Sequence, residues 1–267
     1  MSWTDLTLTR PEAHIALVTL DRPEARNAYS DAMVDSLAGV FDELEEDRDV
    51  RVVILTGAGK SFSAGGDLKA MRDKTGMFAG DASALRSRYL RGIHQIPRRL
   101  ARFDKPIVAA INGAAIGAGL DLTCMCDIRV ASARAKFGST FVKVGLVPGD
   151  GGAYFLARTI GLPKATELIL TGRIIDATEA ERIGLVHEVA PPEDLMDAAL
   201  VHARRMAAIA PQAVQFAKRA IYRSWDLPMD TALELAATYQ GIVQNTHDHL
   251  EGVNALLEKR APDFTGQ

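Results

Sequence analysis

Two glycine-rich segments hold the residue types and spacing that could do chemistry. The first is Phe62-Ser63-Ala64-Gly65-Gly66-Asp67-Leu68-Lys69. The second is Ile111-Asn112-Gly113-Ala114-Ala115-Ile116-Gly117-Ala118-Gly119-Leu120-Asp121-Leu122. Each follows a buried-strand pattern and leads toward helical sequence. Small residues at such a junction let a ligand approach the backbone closely. The first N–H groups of a helix have no internal partner and carry positive potential. Two such termini converging on one point would make an oxyanion hole, a site that stabilises negative charge developing on a carbonyl oxygen. The same glycines also suit ordinary tight strand-to-helix turns, and glycine content alone favours that plainer role.

Several other fragments imitate known motifs and fail on spacing. Gly57-Ala58-Gly59-Lys60-Ser61 ends like a phosphate-binding loop, but Ile54 stands where that motif needs its first glycine. Gly117-Ala118-Gly119 opens like a dinucleotide fingerprint, but Leu122 occupies the third glycine position. His187-Glu188 lacks the second histidine of a zincin helix. No Gly-x-Ser-x-Gly nucleophile elbow occurs.

The elements that must position the two loops can be read from hydrophobic pattern. His14–Leu20 reads as a strand ended by Asp21-Arg22-Pro23. Ser30 is a candidate N-cap for a helix reaching about Glu46, with Met33, Val34, Leu37, Phe41 and Leu44 at helical spacing. Val50–Thr56 is a continuous apolar run that suggests a strand buried on both faces, and Pro106–Ile111 and Ile128–Ala131 repeat it. Val186–Val189 is a shorter candidate. Helical patterns lie between them: Ala82–Arg102 with a break expected near Pro97, then Leu120–Cys126, Gly152–Thr159, Ala165–Leu170 and Thr178–Arg182. After Pro191-Pro192 the pattern becomes wholly helical: Glu193–Ala210, Gln212–Trp225, Met229–Asn245 and His249–Lys259. The expected organisation is an α/β body over residues 1–192 and a helical region over 193–267. Apolar stripes on that tail must fold back or pack on another subunit.

Composition bounds the function. The chain has 267 residues, 48% of them hydrophobic, enough for a substantial core. A formal net charge of −3 argues against a nucleic-acid partner. Cys124 and Cys126 are too close for ordinary disulfide geometry, and no further Cys or His cluster completes a zinc site. No signal peptide is expected from the N-terminus, and no apolar run approaches the roughly 20 residues of a membrane helix. A reducing cytoplasm and no membrane association are the expectation.

The two glycine segments resemble the signature of the enoyl-CoA hydratase/isomerase (crotonase) superfamily. So do Lys105-Pro106-Ile107-Val108-Ala109-Ala110 and Cys126-Asp127-Ile128, which flank the second segment. Asp21-Arg22-Pro23-Glu24-Ala25-Arg26-Asn27-Ala28 and the stretch from Phe137-Gly138 to Gly145-Leu146-Val147-Pro148-Gly149 are similar to it as well. The resemblance runs in register from about residue 10 to Glu258-Lys259-Arg260. It implies a spiral of strand-strand-helix units and a C-terminal helical region that packs a homotrimer, with trimers pairing into hexamers. It further implies an acyl-CoA thioester as substrate, coenzyme A being part of that substrate, with no separate cofactor and no metal. By position, the oxyanion donors would be the backbone N–H groups of Gly66 and Ala118. Ala25, Arg26, Asp67 and Leu68 would line the CoA site, with Lys69 near its phosphates, and Ala64, Gly117 and Phe141 would also be substrate-binding. Arg26 and Lys69 also read simply as surface charges.

The resemblance further locates the acid and the base. Hydratases of this family use two glutamates across one water. Asp121 falls on the first glutamate position, one methylene shorter. Phe141 falls on the second, and an aromatic ring moves no proton. Asp150, in Pro148-Gly149-Asp150-Gly151-Gly152, is the replacement candidate, although a turn or N-cap aspartate fits that spot too. The expectation is Asp121 as principal acid/base and Asp150 as second carboxylate. An enoyl-CoA hydratase is the first reading. An isomerase that shifts the double bond needs fewer groups and comes second. An acyl-CoA hydrolase and a non-catalytic acyl-CoA-binding paralogue follow. Met71, Met77 and Phe78 within residues 70–95 are expected to wall the acyl pocket.

Overall fold

In the computed structural model, which describes residues 3–267, the strand order alternates between two sheets. In chain order the elements begin with β1 (Leu6–Glu12), β2 (Ile15–Leu20), α1 (Asp31–Glu46), β3 (Val52–Gly57) and β4 (Ser61–Ser63). Then come α2 (Leu68–Asp73), α3 (Ala82–Arg91), α4 (Gln95–Leu100), β5 (Ile107–Ile111), β6 (Ala114–Ile116) and α5 (Ala118–Cys124). They continue with β7 (Ile128–Ser132), β8 (Lys136–Gly138), α6 (Gly152–Ile160), α7 (Leu162–Thr171), β9 (Ile175–Asp176), α8 (Ala177–Arg182) and β10 (Glu188–Ala190). The chain closes with α9 (Leu195–Ala207), α10 (Pro211–Ser224), α11 (Met229–Gln244) and α12 (His247–Glu258).

The large sheet has the order β1-β2-β3-β5-β7-β10, parallel except for the β1–β2 hairpin. A small sheet, β4-β6-β8-β9, runs beside it. Successive pairs β3–β4, β5–β6 and β7–β8 each put one strand in each sheet before the chain turns helical. That is the strand-strand-helix spiral which the resemblance implied. The small sheet was not legible beforehand, because strands of two or three residues are too short to show a period.

The continuous apolar runs are explained by burial on both faces of the large sheet. Val53, Leu55, Ile107, Ala109, Ile111 and Ala131 face the main core, with α1 and the small sheet. Their alternating neighbours Val52, Ile54, Val108, Ala110 and Val130 face a second core. α9 closes that second core with Leu195, Ala199, Ala203 and Ala207, one residue per turn. The first helix of the C-terminal region thus folds back onto the sheet. Small residues along its contact stripe let it lie close.

α1 begins where Ser30 accepts a hydrogen bond from the Met33 N–H at 2.9 Å. It buries Met33, Val34, Leu37, Val40, Phe41 and Leu44. Truncating Leu37 to Ala would cost about 2–5 kcal/mol. The Lys105 ammonium donates to the Leu44 and Asp47 carbonyls at the helix's C-terminal end, where a cation is favoured.

Two expectations need correction. The break in the 82–102 stretch lies at Gly92–His94 rather than near Pro97. Pro97 sits in the first turn of α4, where its missing N–H has no partner to lose. The final strand is shifted to Glu188–Ala190, pairing with β7 from Val130 to Ser132.

α10 and α11 bury no residue. Ile221, Met229, Leu233, Leu256 and Leu257 are exposed on the last three helices, and Trp225 is exposed just after α10. α10 is tied to the body by Lys218 on Asp127 at 2.8 Å, by Tyr222 on the same carboxylate, and by the Arg219–Asp104 pair. No helix among the described residues is long and apolar enough to cross a membrane.

Candidate active site

The first glycine loop is held from beneath by a buried asparagine. Asn27 is 0% exposed and adopts a left-handed conformation, φ 54°. Its side-chain N–H groups donate to the Ala58, Ser61 and Phe62 carbonyls, and its oxygen accepts from the Arg22 N–H. Ser63 donates to the Asn27 carbonyl and accepts from the Gly65 N–H. The Tyr29 N–H donates to the Gly65 carbonyl at 2.8 Å. The segment 22–29 and the loop 63–66 are therefore one hydrogen-bonded unit, and Gly66 has little freedom.

The second loop packs on the first, backbone to backbone. A Cβ on Gly119 would stand 2.8 Å from the Ser63 Cβ. A Cβ on Gly65 would stand 3.0 Å from the Ala118 nitrogen and also strike the Ile116 carbonyl. Gly65 further needs glycine for its φ of 80°. With ordinary bond lengths, the Gly66 and Ala118 nitrogens are then no more than about 7 Å apart. Neither N–H donates to a protein acceptor among the described residues. Ala118 is the first residue of α5 and Gly66 precedes Asp67, the N-cap of α2, so the potential at both is positive.

A narrow cleft opens beside Gly66. Tyr29, Met71, Met77, Phe78, Tyr89, Ile93, Phe141, Leu146 and Asp150 line it, with Arg88 on the same wall. The expected wall residues Met71, Met77 and Phe78 are all there, and the Met71 methyl lies over Gly66. Phe141 covers Gly117, its ring 3.6–3.9 Å from where a Cβ would be.

The two carboxylates take unequal positions. Asp150 lines the cleft and is 6% exposed, and burial pushes its pKa up to about 6. Its loop is fastened by His94, whose Nε2 lies 2.7 Å from the Gly149 carbonyl. It is no helix cap: Gly151 occupies the N-cap of α6, without a side-chain cap. Asp121 lies deeper, fully enclosed in the first turn of α5. A Cβ on Gly152 would stand 2.6 Å from its Cγ, so only glycine fits there. Burial first, and the charge of Asp150 second, hold Asp121 protonated well above the usual carboxylate range. Among the described residues neither Asp121 oxygen meets ordinary hydrogen-bond geometry, although the Gly152 N–H offsets part of the rise, and Asp150 Oδ1 has no partner. The two groups influence each other, yet only Asp150 borders the cleft.

The remaining expected residues cluster at one surface. Ala64 donates its N–H to the Arg26 carbonyl at 2.9 Å, joining that loop to the end of the 3-10 turn Pro23–Ala25. Asp67 caps α2 through Lys69 and Ala70 N–H groups and pairs with Arg22 at 3.2 Å, so its carboxylate serves the local structure. Leu68 is 63% exposed, and Arg26 and Lys69 are exposed as well. Cys124 and Cys126 are buried free thiols. Tyr29 and Tyr89 are cleft residues that the sequence reading missed. For Tyr29 the available signal was its place two residues after the pinned Asn27.

Comparison with known proteins agrees over nearly the whole length. The family model for enoyl-CoA hydratase/isomerase matches residues 10–267. The short-chain-enoyl-CoA hydratase of Clostridium acetobutylicum is 39% identical over 93% of this chain and 93% of its own. The (E)-benzylidenesuccinyl-CoA hydratase of Thauera aromatica is 40% identical over 95% of this chain and 96% of its own. The crystal structure of an enoyl-CoA hydratase from Bacillus anthracis superposes with a TM-score of 0.93 at 34% identity, covering 99% of this chain and all of that one. Sequence, spiral fold and paired glycine loops lead to one assignment: the chain belongs to the enoyl-CoA hydratase/isomerase family.

Proposed function

We propose that the protein is an enoyl-CoA hydratase, adding water across the 2,3 double bond of a 2-enoyl-CoA thioester. The observation that carries the reading is the pair of unengaged N–H groups at Gly66 and Ala118 beside a cleft lined by one titratable carboxylate, Asp150. As water adds at Cβ, the alkene electrons move onto the thioester oxygen. The two N–H groups hold that charge as an enolate. Losing one such donor typically costs about 3–4 kcal/mol of transition-state stabilisation.

Asp150 takes a proton from the adding water and returns one to Cα, so water is consumed and the carboxylate is restored. Asp121, kept neutral and enclosed, supports it from behind. Two adjacent carboxyls whose affinities are driven apart by environment suit an acid/base division at neutral pH. Exposed Leu68, Arg26 and Lys69 fit the CoA portion, and Met71, Met77, Phe78 and Phe141 the acyl portion. The apolar faces of α10–α12 fit a homotrimer, or a hexamer of paired trimers. Sedimentation showing a compact monomer at working concentration would remove that part.

A double-bond isomerase is the second reading. Phe141 favours it, since one carboxylate suffices to move a proton between carbons. Crotonyl-CoA and a 3-enoyl-CoA separate the two by the absorbance of the conjugated thioester. Hydration predicts its loss from crotonyl-CoA. Growth from the 3-enoyl substrate, without loss from crotonyl-CoA, would establish the isomerase instead.

A further inference from the structure

We propose that Tyr29 is a further catalytic group of this site: its hydroxyl oxygen accepts the second O–H of the water whose first O–H points at Asp150, so that a water lone pair faces Cβ. The inference rests on the hydratase reading.

Tyr29 is 3% exposed, with its ring in the main core. Its hydroxyl makes no hydrogen bond to protein among the described residues and is not one of the enclosed unpaired oxygens, so it opens to the cleft that Tyr29 lines with Gly66 and Asp150. A phenol hydroxyl that opens to a cleft and is unpaired by protein can take a water as its partner. Its backbone is fastened to the oxyanion loop by the Tyr29 N–H to Gly65 carbonyl bond. The Tyr29 main chain is therefore fixed relative to Gly66, and the surrounding core packs its ring.

A water that attacks one carbon must be oriented by two contacts, and the ring of Phe141 supplies none. The other polar side chains on the cleft wall serve less well. Arg88 is an exposed cation already donating to the Gly76 carbonyl, and a cation donates where an acceptor is wanted. Tyr89 is less buried than Tyr29 and stacks edge-on against His94. Burial, then the charge of the Asp150 carboxylate, hold the Tyr29 phenol in its neutral form. It loses no proton in the reaction: the O–Cβ bond forms, the water proton goes to Asp150, and the electron pair goes to the thioester oxygen.

The test compares wild type and Tyr29→Phe in two assays. One is hydration of crotonyl-CoA, and the other is exchange of the α-proton of butyryl-CoA in D2O. Exchange needs the oxyanion site and a base but no added water. The expected result is a fall in hydration kcat of about 10- to 100-fold with KM within twofold, and exchange unchanged. Hydration equal to wild type overturns the proposal, as does a parallel fall in both assays, which would mark a structural role. A wild type that exchanges the α-proton but hydrates nothing overturns the hydratase reading, and this proposal with it.

Discussion

Gly65 and Gly119 meet the neighbouring loop backbone to backbone across the floor of the cleft, whereas the roof is built from α2, α3 and the 3-10 turn Gly76–Phe78 between them, none of which buries a residue. The floor is tied by Asn27 and Ser63. The roof touches the floor chiefly through Met71, Met77 and Phe78. Groups that must hold charge to within a fraction of an ångström need over-determined backbone. Groups that must fit an acyl chain need adaptable side chains on a locally less stable segment. On the proposed reading, reaction belongs to the floor and substrate choice to the roof, and that contrast can be broken at either end.

The largest effect is expected at Asp150. Asp150→Asn should lower kcat by about 10²- to 10⁴-fold while acyl-CoA affinity, measured by titration calorimetry, stays within a few-fold. Asp121→Asn should cost much less, because that carboxyl is already neutral. The reverse ranking would restore Asp121 as the principal group. Gly65→Ala comes next. It forces a side chain into the Ile116 carbonyl at a φ that favours glycine, and kcat should fall about 10²- to 10³-fold. Near-normal turnover in that variant would show that the floor is not rigid.

The pH response is smaller and separates chemistry from stability. With Asp150 at about 6, kcat/KM should fall about tenfold per pH unit below that value, the base being protonated. Stability moves the other way. The folded-state pKa is raised, so its contribution is full below the unfolded value of about 4 and is lost as pH rises through about 6. The loss is on the order of 3 kcal/mol. Asp150→Asn should therefore raise the Tm at pH 8 and change it little at pH 4. A variant whose Tm gain is the same at both would reject a buried ionisation. The smallest effect belongs to the roof: Met77→Ala should shift acyl-length preference several-fold and leave stability within about 1 kcal/mol. An equal fall on every chain length would place Met77 with the floor.

Most of the frame was legible in the sequence because it rests on local rules. Ser30 caps the helix it was read to cap, and the apolar runs at Val50–Thr56, Pro106–Ile111 and Ile128–Ala131 are strands of the doubly covered sheet. The glycine loops were legible as places where backbone must come close. Pro97 misled because proline marks either a break or a first turn, and only packing chooses between them.

Residue order alone determined the family, the alternation of strands and helices, and the two loops, since periodicity, capping and glycine placement are short-range properties. Only the tertiary structure decided which aspartate meets the cleft. Asp121 and Asp150 have the same side chain, and their difference arises from how deeply neighbouring backbone encloses each one. The same is true of Tyr29: that its ring lies in the core while it borders the cleft is a fact of three-dimensional packing that no local pattern encodes.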